Sequence, residues 1–222
     1  MIYVYTVLIA AIFLVIARIV PQSNTHATVW HGLQLKELDG RTMIVNSLFF
    51  CSFLVMFGLS ALRYKVGTDY VNYAEKIVDQ ITSGQYSKEI LFKQLVNLSL
   101  AMGDTQWIFI LSSLVIVGFT FLAIREQSQD WVYGVLLFMF STFYSFSLNA
   151  VRQAMATAIF LYAIKYIKRG KLIRYIFWIL VAVGFHKIAI IYLPFYVLRY
   201  VSVIKVKTIN IWLGSFVVLF LA

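Results

Sequence analysis

Long apolar runs separated by short polar connections are the feature that most constrains the fold of this chain. Five such runs occupy residues 2–20, 44–62, 107–124, 131–148 and 150–167. A helix rises about 1.5 Å per residue and the hydrocarbon core of a bilayer is about 30 Å thick, so each run approaches the length of a membrane span. With 62% hydrophobic and 13% charged residues, the chain is too apolar for a soluble enzyme. The sequence therefore predicts an integral membrane bundle of α-helices.

A longer apolar stretch, residues 172–204, admits two interpretations because Phe185-His186-Lys187 interrupts it. A single tilted helix would place the basic cluster at 165–174 and the basic residues at 199–207 on opposite sides of the membrane. A tight hairpin that turns near His186 would return both to the same side. Cytoplasmic connections are enriched in Lys and Arg, which favours the hairpin with both clusters inside. By alternation, the N-terminus, residues 63–106 and His186 then lie outside.

The predicted fold class is an all-α integral membrane protein, a polytopic helix bundle of about seven to eight hydrophobic segments with one larger extracytoplasmic loop at about 63–106. We treat residues 1–222 as a single membrane domain. Residues 208–222 are apolar to the final residue and shorter than a span, so we expect a longer parent protein with further spans. The predicted location is the cytoplasmic membrane, which the chain crosses several times.

Charge and cysteine content exclude several classes of function. The formal net charge is +10, but Lys and Arg lie at the ends of apolar runs instead of forming one basic patch, so no nucleic-acid partner is expected. Cys51 is the single cysteine and cannot form an intrachain disulfide or a cysteine metal site. We expect neither a metal nor a cofactor.

The segment 63–106 is the only polar stretch with room for structure outside the membrane. It opens with a cluster of polar and aromatic residues: Arg63, Gly67, Thr68, Asp69, Tyr70 and Tyr73. Gly67 permits a turn, and Asp69 and Tyr73 stand one helical turn apart. The cluster is either a polar site or a helix cap beside tyrosines of the interfacial aromatic belt. Glu89 follows, ahead of an amphipathic run typical of a helix that lies along the interface.

A second polar cluster stands where two apolar runs meet. Asn149, Arg152 and Gln153 are spaced by three and four residues, so they share one face if the helix has begun there. Ala150, Ala154 and Ala158 give an adjacent face of small side chains that lets another helix approach closely. Arginine here is costly unless it snorkels, pairs or lines a wet cavity. The alternatives are an interfacial anchor and a site for phosphate or carboxylate.

The third cluster is His186 with Lys187, in the middle of an apolar stretch. A histidine with an ordinary pKa near 6.5 is suited to proton transfer or to hydrogen bonding with a sugar or phosphate. The alternative is a histidine that only satisfies a backbone carbonyl at a hairpin turn. In the hairpin topology His186, Arg152 and the Asp69 segment all lie on the outer side.

Taken in order, these residues resemble the EpsG family of exopolysaccharide biosynthesis membrane proteins, which are related to Wzy-type O-antigen and capsule polymerases. The resemblance rests on Arg63, Gly67-Thr68-Asp69-Tyr70 with Tyr73, Glu89, Ser147-Leu148-Asn149-Ala150-Val151-Arg152-Gln153 with Ala156, Phe185-His186-Lys187, and Pro194. It implies a glycosyltransferase that joins polyprenyl-diphosphate-linked repeat units at the outer face of the membrane. The implied partners are the polyprenyl-diphosphate-linked oligosaccharide, the bilayer and other membrane proteins of polysaccharide assembly.

Such a transfer requires cations for the diphosphate leaving group and a base for the acceptor hydroxyl. The candidate catalytic residues are Asp69, Glu89 and His186, which the sequence does not rank. The candidate substrate-binding residues are Arg63, Tyr70, Tyr73, Asn149, Arg152, Gln153 and Lys187.

Three further hypotheses remain open, and one of them is a membrane acyltransferase that uses His186. A transporter or flippase for a lipid-linked glycan would line a path with polar residues at several depths. An inactive, truncated polymerase is consistent with the apolar end of the chain.

Overall fold

The computed structural model describes residues 2–19, 40–67, 69–86 and 89–201, with side chains from 8–19 and from 42 onward within those ranges except 201. Lys205, Lys207 and the predicted segment 208–222 lie outside the described residues. Thr68, in the first polar cluster, does so as well.

The described backbone is built from helices. Helices α1 (Ile2–Ile19) and α2 (Gly40–Ala61) precede a π-helical turn (Asn72–Lys76) that runs into α3 (Ile77–Thr82). Helices α4 (Ile90–Ala101), α5 (Gln106–Gln127), α6 (Trp131–Phe140) and α7 (Thr142–Ser147) follow. The remainder consists of α8 (Val151–Lys168), α9 (Leu172–Phe185), a 3-10 helix (Lys187–Val197) and the short α10 (Leu198–Val201).

Two described helices are long and apolar enough by themselves to cross a bilayer, Thr42–Ala61 and Gln106–Gln127. Shorter apolar helices include Trp131–Phe140 and Leu172–Phe185. The predicted all-helical architecture is confirmed for the described residues, and the count of seven to eight hydrophobic segments stays a prediction.

Helix α5 lies at the centre of the bundle and packs against both α2 and α8. Between α2 and α5, the hydroxyls of Ser60 and Ser113 share a hydrogen bond of 2.8 Å. On α8, Ala154 and Ala158 are fully buried, as expected of small residues at a close helix–helix contact. Helices α2, α5 and α8 therefore contact one another through small and hydroxyl side chains at these positions.

The predicted span at 131–148 is divided into two helices at Ser141, and its role as a span stays a prediction. Ser141 has an extended backbone (ψ 154°) that separates α6 from α7. Its hydroxyl donates to the Phe138 carbonyl at 2.9 Å, a local bond that competes with the helical pattern.

The segment 63–106 is helical over much of its length and is packed into the bundle. Phe92 and Val96 of α4 are fully buried, and α4 contacts α5 and α9. The amphipathic run after Glu89 thus rests its apolar face on other helices.

The chain reverses direction at His186, so the hairpin interpretation of residues 172–204 agrees with the structure and the single tilted helix does not. His186 is extended (φ −154°), which ends α9. The Tyr175 hydroxyl on α9 donates to the Tyr192 carbonyl of the returning 3-10 helix. Arg199 thereby comes back to Gly170, at the start of the hairpin.

The bundle consequently has two chemically different ends. The basic end carries Arg18, Arg125, Lys165, Lys168, Arg169, Lys171, Arg174 and Arg199, with Glu126 and Asp130 as its described acidic residues. Contacts tie its helices together, among them Arg125 to Asn46 (2.8 Å) and Arg18 to Asp130 (3.3 Å). The opposite end, termed the site end below, carries Arg63, Glu89, Arg152 and His186.

Labelling of single cysteines tests this arrangement. In a Cys51→Ser background, a cysteine at the exposed Lys187 should react with a membrane-impermeant maleimide in intact cells. A cysteine at the exposed Lys171 should react only after lysis, because the basic end is expected to be cytoplasmic. Labelling of both positions from the same side of the membrane would contradict the hairpin.

Candidate functional site

A buried carboxylate forms the centre of the site end. Glu89 has an extended backbone (φ −116°, ψ 121°) and immediately precedes α4, whose buried face turns its side chain into the bundle. The side chain is only 5% exposed. An ionised carboxylate buried to this degree is costly unless charged and hydrogen-bonding groups surround it.

Arg152 supplies the compensating charge from the first turn of α8. Its Nη1 lies 2.8 Å from Glu89 Oε2, and its side chain is 20% exposed. The Tyr86 hydroxyl donates to the same carboxylate oxygen at 2.5 Å and accepts from Arg152 Nη1 at 3.2 Å. One carboxylate oxygen, one guanidinium nitrogen and one phenol thus form a closed triangle of polar contacts.

His186 approaches the other carboxylate oxygen from the end of α9. Its Nδ1 lies 3.5 Å from Glu89 Oε1, and its side chain is 18% exposed. His186 can approach Glu89 because α9 packs closely on α4 at Gly184. A Cβ on Gly184 would lie 2.6 Å from the Leu91 side chain of α4. Three segments distant in sequence therefore converge on Glu89.

Aromatic side chains close the buried side of this cluster. The Phe92 ring lies 5.8 Å from Arg152 Cζ, within the range of a cation–π contact. Tyr73 packs edge-on against Phe92 at 5.9 Å and also interacts electrostatically with Arg152. Both aromatic residues are buried, so the guanidinium is held between a carboxylate and an apolar wall.

The protonation states follow from these contacts. Burial acts to raise the pKa of Glu89, but the Tyr86 hydrogen bond and the Arg152 charge outweigh it, and the pKa is lowered overall. Burial and the neighbouring carboxylate raise the pKa of Tyr86 to about 12. At neutral pH, Glu89 is therefore an anion and Tyr86 a neutral donor.

Two atoms of the cluster are buried without a hydrogen-bond partner among the described residues. They are Arg152 Nε and His186 Nδ1, the latter facing Glu89 at a distance longer than a hydrogen bond. Buried unsatisfied polar atoms are rare in folded proteins and call for an explanation. A site that tightens when a polar ligand binds is one such explanation.

Arg63 performs a different task from Arg152. It is 3% exposed, its Nη1 donates to the Leu148 carbonyl at 2.9 Å, and its Cζ lies 4.7 Å from the Phe109 ring. Tyr70 stacks on Phe109 with centroids 4.6 Å apart. These contacts fix the end of α2 to the junction between α7 and α8, four residues before Arg152.

Gly67 completes this attachment. Its φ is +93°, and a Cβ there would lie 2.7 Å from the Leu148 carbonyl oxygen and 2.8 Å from Asn149 Oδ1. Only glycine allows this backbone conformation and this close approach at once. The turn that carries Gly67 therefore packs directly on the Asn149-Ala150-Val151-Arg152 junction.

The other predicted site residues lie around the cluster. Asp69 is half-buried in the turn before the π-helical segment, where its carbonyl accepts from the Tyr73 amide. Asn149 lies at the helix junction, where its Nδ2 is 3.5 Å from the Ser145 carbonyl. Gln153 and Lys187 are exposed to the surroundings of the site end.

Tyr86 is the functional candidate that the sequence analysis does not select. It stands three residues before Glu89, which is a sequence signal in retrospect. Tyrosine is so common near membrane interfaces that its presence alone predicts no specific contact.

Comparison with known proteins identifies the family of the chain. Residues 46–222 match the EpsG family, and the chain belongs to it. The match includes each of the three segments that meet at Glu89 and confirms the resemblance seen in the sequence. The family identifies a membrane protein with a polymerase-like role related to exopolysaccharide biosynthesis. No curated protein and no solved structure matches the chain.

Replacement of Gly67 tests the attachment at the helix junction. Gly67→Ala should lower the free energy of unfolding by more than about 1–2 kcal/mol, since a strained φ is added to a clash with the Leu148 carbonyl. Gly84→Ala is the matched control, because Gly84 has φ +76° and nothing within 4 Å of an added Cβ. Thermal unfolding in detergent should show the larger decrease for Gly67→Ala, and equal decreases would mean that the close approach is unimportant.

The pH dependence of stability tests the charge state of Glu89. Its pKa is lower in the folded protein, so its contribution is present above its unfolded value of 4.5 and is lost as pH falls through the folded pKa. Glu89→Gln should cost about 3 kcal/mol at pH 7, because Arg152 loses a buried partner. The difference in Tm between variant and wild type should shrink below about pH 4.5.

The matched control for this experiment is Glu75→Gln, which removes an exposed carboxylate from the same end of the bundle. Its effect should stay within about 0.5 kcal/mol at every pH. A Tm difference for Glu89→Gln that does not change with pH would contradict an ionised Glu89.

Proposed function

We propose that this protein is a polysaccharide polymerase that transfers a glycan from a polyprenyl diphosphate to an acceptor sugar at the outer face of the cytoplasmic membrane. The observation that carries the proposal is the meeting of Glu89, Arg152 and His186 at the end of the bundle opposite the basic end. Membership in the EpsG family supports a role of this reaction in exopolysaccharide synthesis.

The position of the cluster supports an outward-facing reaction. Lys and Arg are concentrated at the basic end, which the positive-inside rule assigns to the cytoplasm. The Glu89 cluster then faces the compartment where lipid-linked repeat units are joined in the proposed reaction. The substrate would be a polyprenyl-diphosphate-linked oligosaccharide that enters from the bilayer. The acceptor chain would be held with the help of other membrane proteins of polysaccharide assembly.

Arg152 is proposed to stabilise the leaving group. When the bond between the anomeric carbon and the diphosphate oxygen breaks, negative charge develops on the diphosphate and a nearby guanidinium lowers the energy of that state. Glu89 and Tyr86 hold the guanidinium at Nη1, so its orientation is fixed before the substrate arrives. The 20% exposure of the side chain leaves part of it open to a ligand.

His186 is proposed to accept the proton of the acceptor hydroxyl. As the hydroxyl oxygen forms the new glycosidic bond to the anomeric carbon, its proton passes to the imidazole and the diphosphate leaves on its lipid carrier. Glu89 lies 3.5 Å from Nδ1 of this ring, in the position that a carboxylate takes behind a catalytic histidine. Asp69 remains an alternative base, because its turn lies beside the same helix junction.

The hypothesis of a transport path receives less support from the described residues. Between the two ends, the buried polar side chains are mainly Ser and Thr, such as Thr120, whose hydroxyl donates to the Ile116 carbonyl of its own helix at 2.7 Å. No Asp, Glu, Lys, Arg or His lies mid-helix in the described parts of α2 and α5. A path for a charged lipid headgroup would require polar contacts at intermediate depth.

Substitution of Arg152 tests the proposed function. Arg152→Lys keeps the charge but loses the planar guanidinium, so it should fail almost as completely as Arg152→Ala if the residue holds a diphosphate. The measurement is polymer length in cells whose own gene is replaced by the variant, with the membrane level of the protein checked in parallel. Single repeat units should accumulate on the lipid carrier.

The control is Lys76→Ala, which removes an exposed cation from the site end and should leave polymer length unchanged. If the Arg152→Lys variant is present in the membrane at a normal level and makes polymer of wild-type length, Arg152 is an interfacial anchor and does not hold a diphosphate. Loss of lipid-linked repeat units themselves would place the defect before polymerisation.

A further inference from the structure

A groove towards the basic end of the bundle shares no residue with the Glu89 cluster. It has a volume of about 460 Å³ and lies between α8 and the returning arm of the hairpin. Its walls are apolar and consist of Phe160, Ile164, Ile167, Phe195 and Leu198. Pockets that hold a small molecule are commonly of this size and are mostly apolar with a few polar groups.

Two cations line the same groove, Lys168 from the last turn of α8 and Arg199 from α10. The Arg199 guanidinium lies against Gly170, which has φ +68°, and an added Cβ there would lie 1.7 Å from Arg199 Nη1. The chain thus places a guanidinium and an ammonium at one end of an apolar groove, which is a combination suited to an amphipathic anion.

Three other cations at this end pair with acidic residues. Glu126 pairs with Lys165 at 2.8 Å and with Arg169 at 3.8 Å, and Asp130 pairs with Arg18 at 3.3 Å. Lys168 has no ion pair among the described residues and is exposed. With eight basic and two acidic side chains described, the basic end carries a strong positive charge.

We propose that this groove binds an anionic phospholipid. Its phosphate would lie between Lys168 and Arg199, and an acyl chain would lie along Phe160, Ile164 and Phe195. Basic pockets between helices on the cytoplasmic side of membrane proteins bind anionic headgroups, and each Lys or Arg contributes about 1 kcal/mol near an anionic membrane surface. The proposal is independent of the polymerase reaction, which uses other residues at the other end of the bundle.

Native mass spectrometry of the detergent-solubilised full chain tests this proposal. Equimolar phosphatidylglycerol and phosphatidylcholine with identical acyl chains are added, and the lipids retained by the protein are counted. Wild type should retain phosphatidylglycerol preferentially, and Lys168→Gln/Arg199→Gln should lower that preference about tenfold. Inorganic phosphate in excess should not displace the lipid, because it has nothing to place in the apolar groove.

The matched control is Lys171→Gln/Arg174→Gln, which removes the same charge from the same end outside the groove. It should keep the preference, and an equal loss would show that only the general surface charge matters and would overturn the proposal. Ile164→Trp, which fills the groove and keeps both cations, should lower retention of both lipids. A wild type that retains neither lipid would mean that another part of the chain fills the groove, and this too would overturn the proposal.

Discussion

The buried charge of Glu89 is the interaction on which the rest of the site end depends. A carboxylate that is 5% exposed must be matched by nearby cations and donors or its ionised form is lost. Arg152 on α8 and the Tyr86 hydroxyl provide that match, so the contacts that define the site also fix how α4 sits against the bundle. Because the chemistry and the packing share these contacts, substitutions at Glu89 will affect both at once.

Arg63 and Gly67 show how the remaining side of the site is positioned. Both act on the Leu148 carbonyl, one by donating to it and the other by packing against it without a side chain. That carbonyl lies just before the first turn of α8, which carries Arg152. Arg63 and Gly67 of the first polar cluster are therefore best understood as a support for the second cluster, and Arg63 is buried in this role.

The helical bundle and the candidate residues could be predicted from sequence because α2 and α5 are mostly apolar, and because Glu89, Arg152 and His186 interrupt or flank apolar runs. The contacts among these three residues could not be predicted, since they depend on how α4, α8 and α9 pack together. The break at Ser141 could not be predicted, because a single serine in an apolar run is as compatible with a continuous helix as with a break. Tyr86 was missed because its role exists only through its distance to Glu89.

The two arms of the hairpin at His186 contain different numbers of residues and yet have matching lengths. Helix α9 has 14 residues, which at about 1.5 Å per residue gives about 21 Å. The 3-10 helix has 11 residues, which at about 2.0 Å per residue gives about 22 Å. An α-helix over those 11 residues would be about 5 Å shorter. The stretched conformation thus lets a shorter arm reach the far end of the bundle, and it sets the distance between His186 and Arg199.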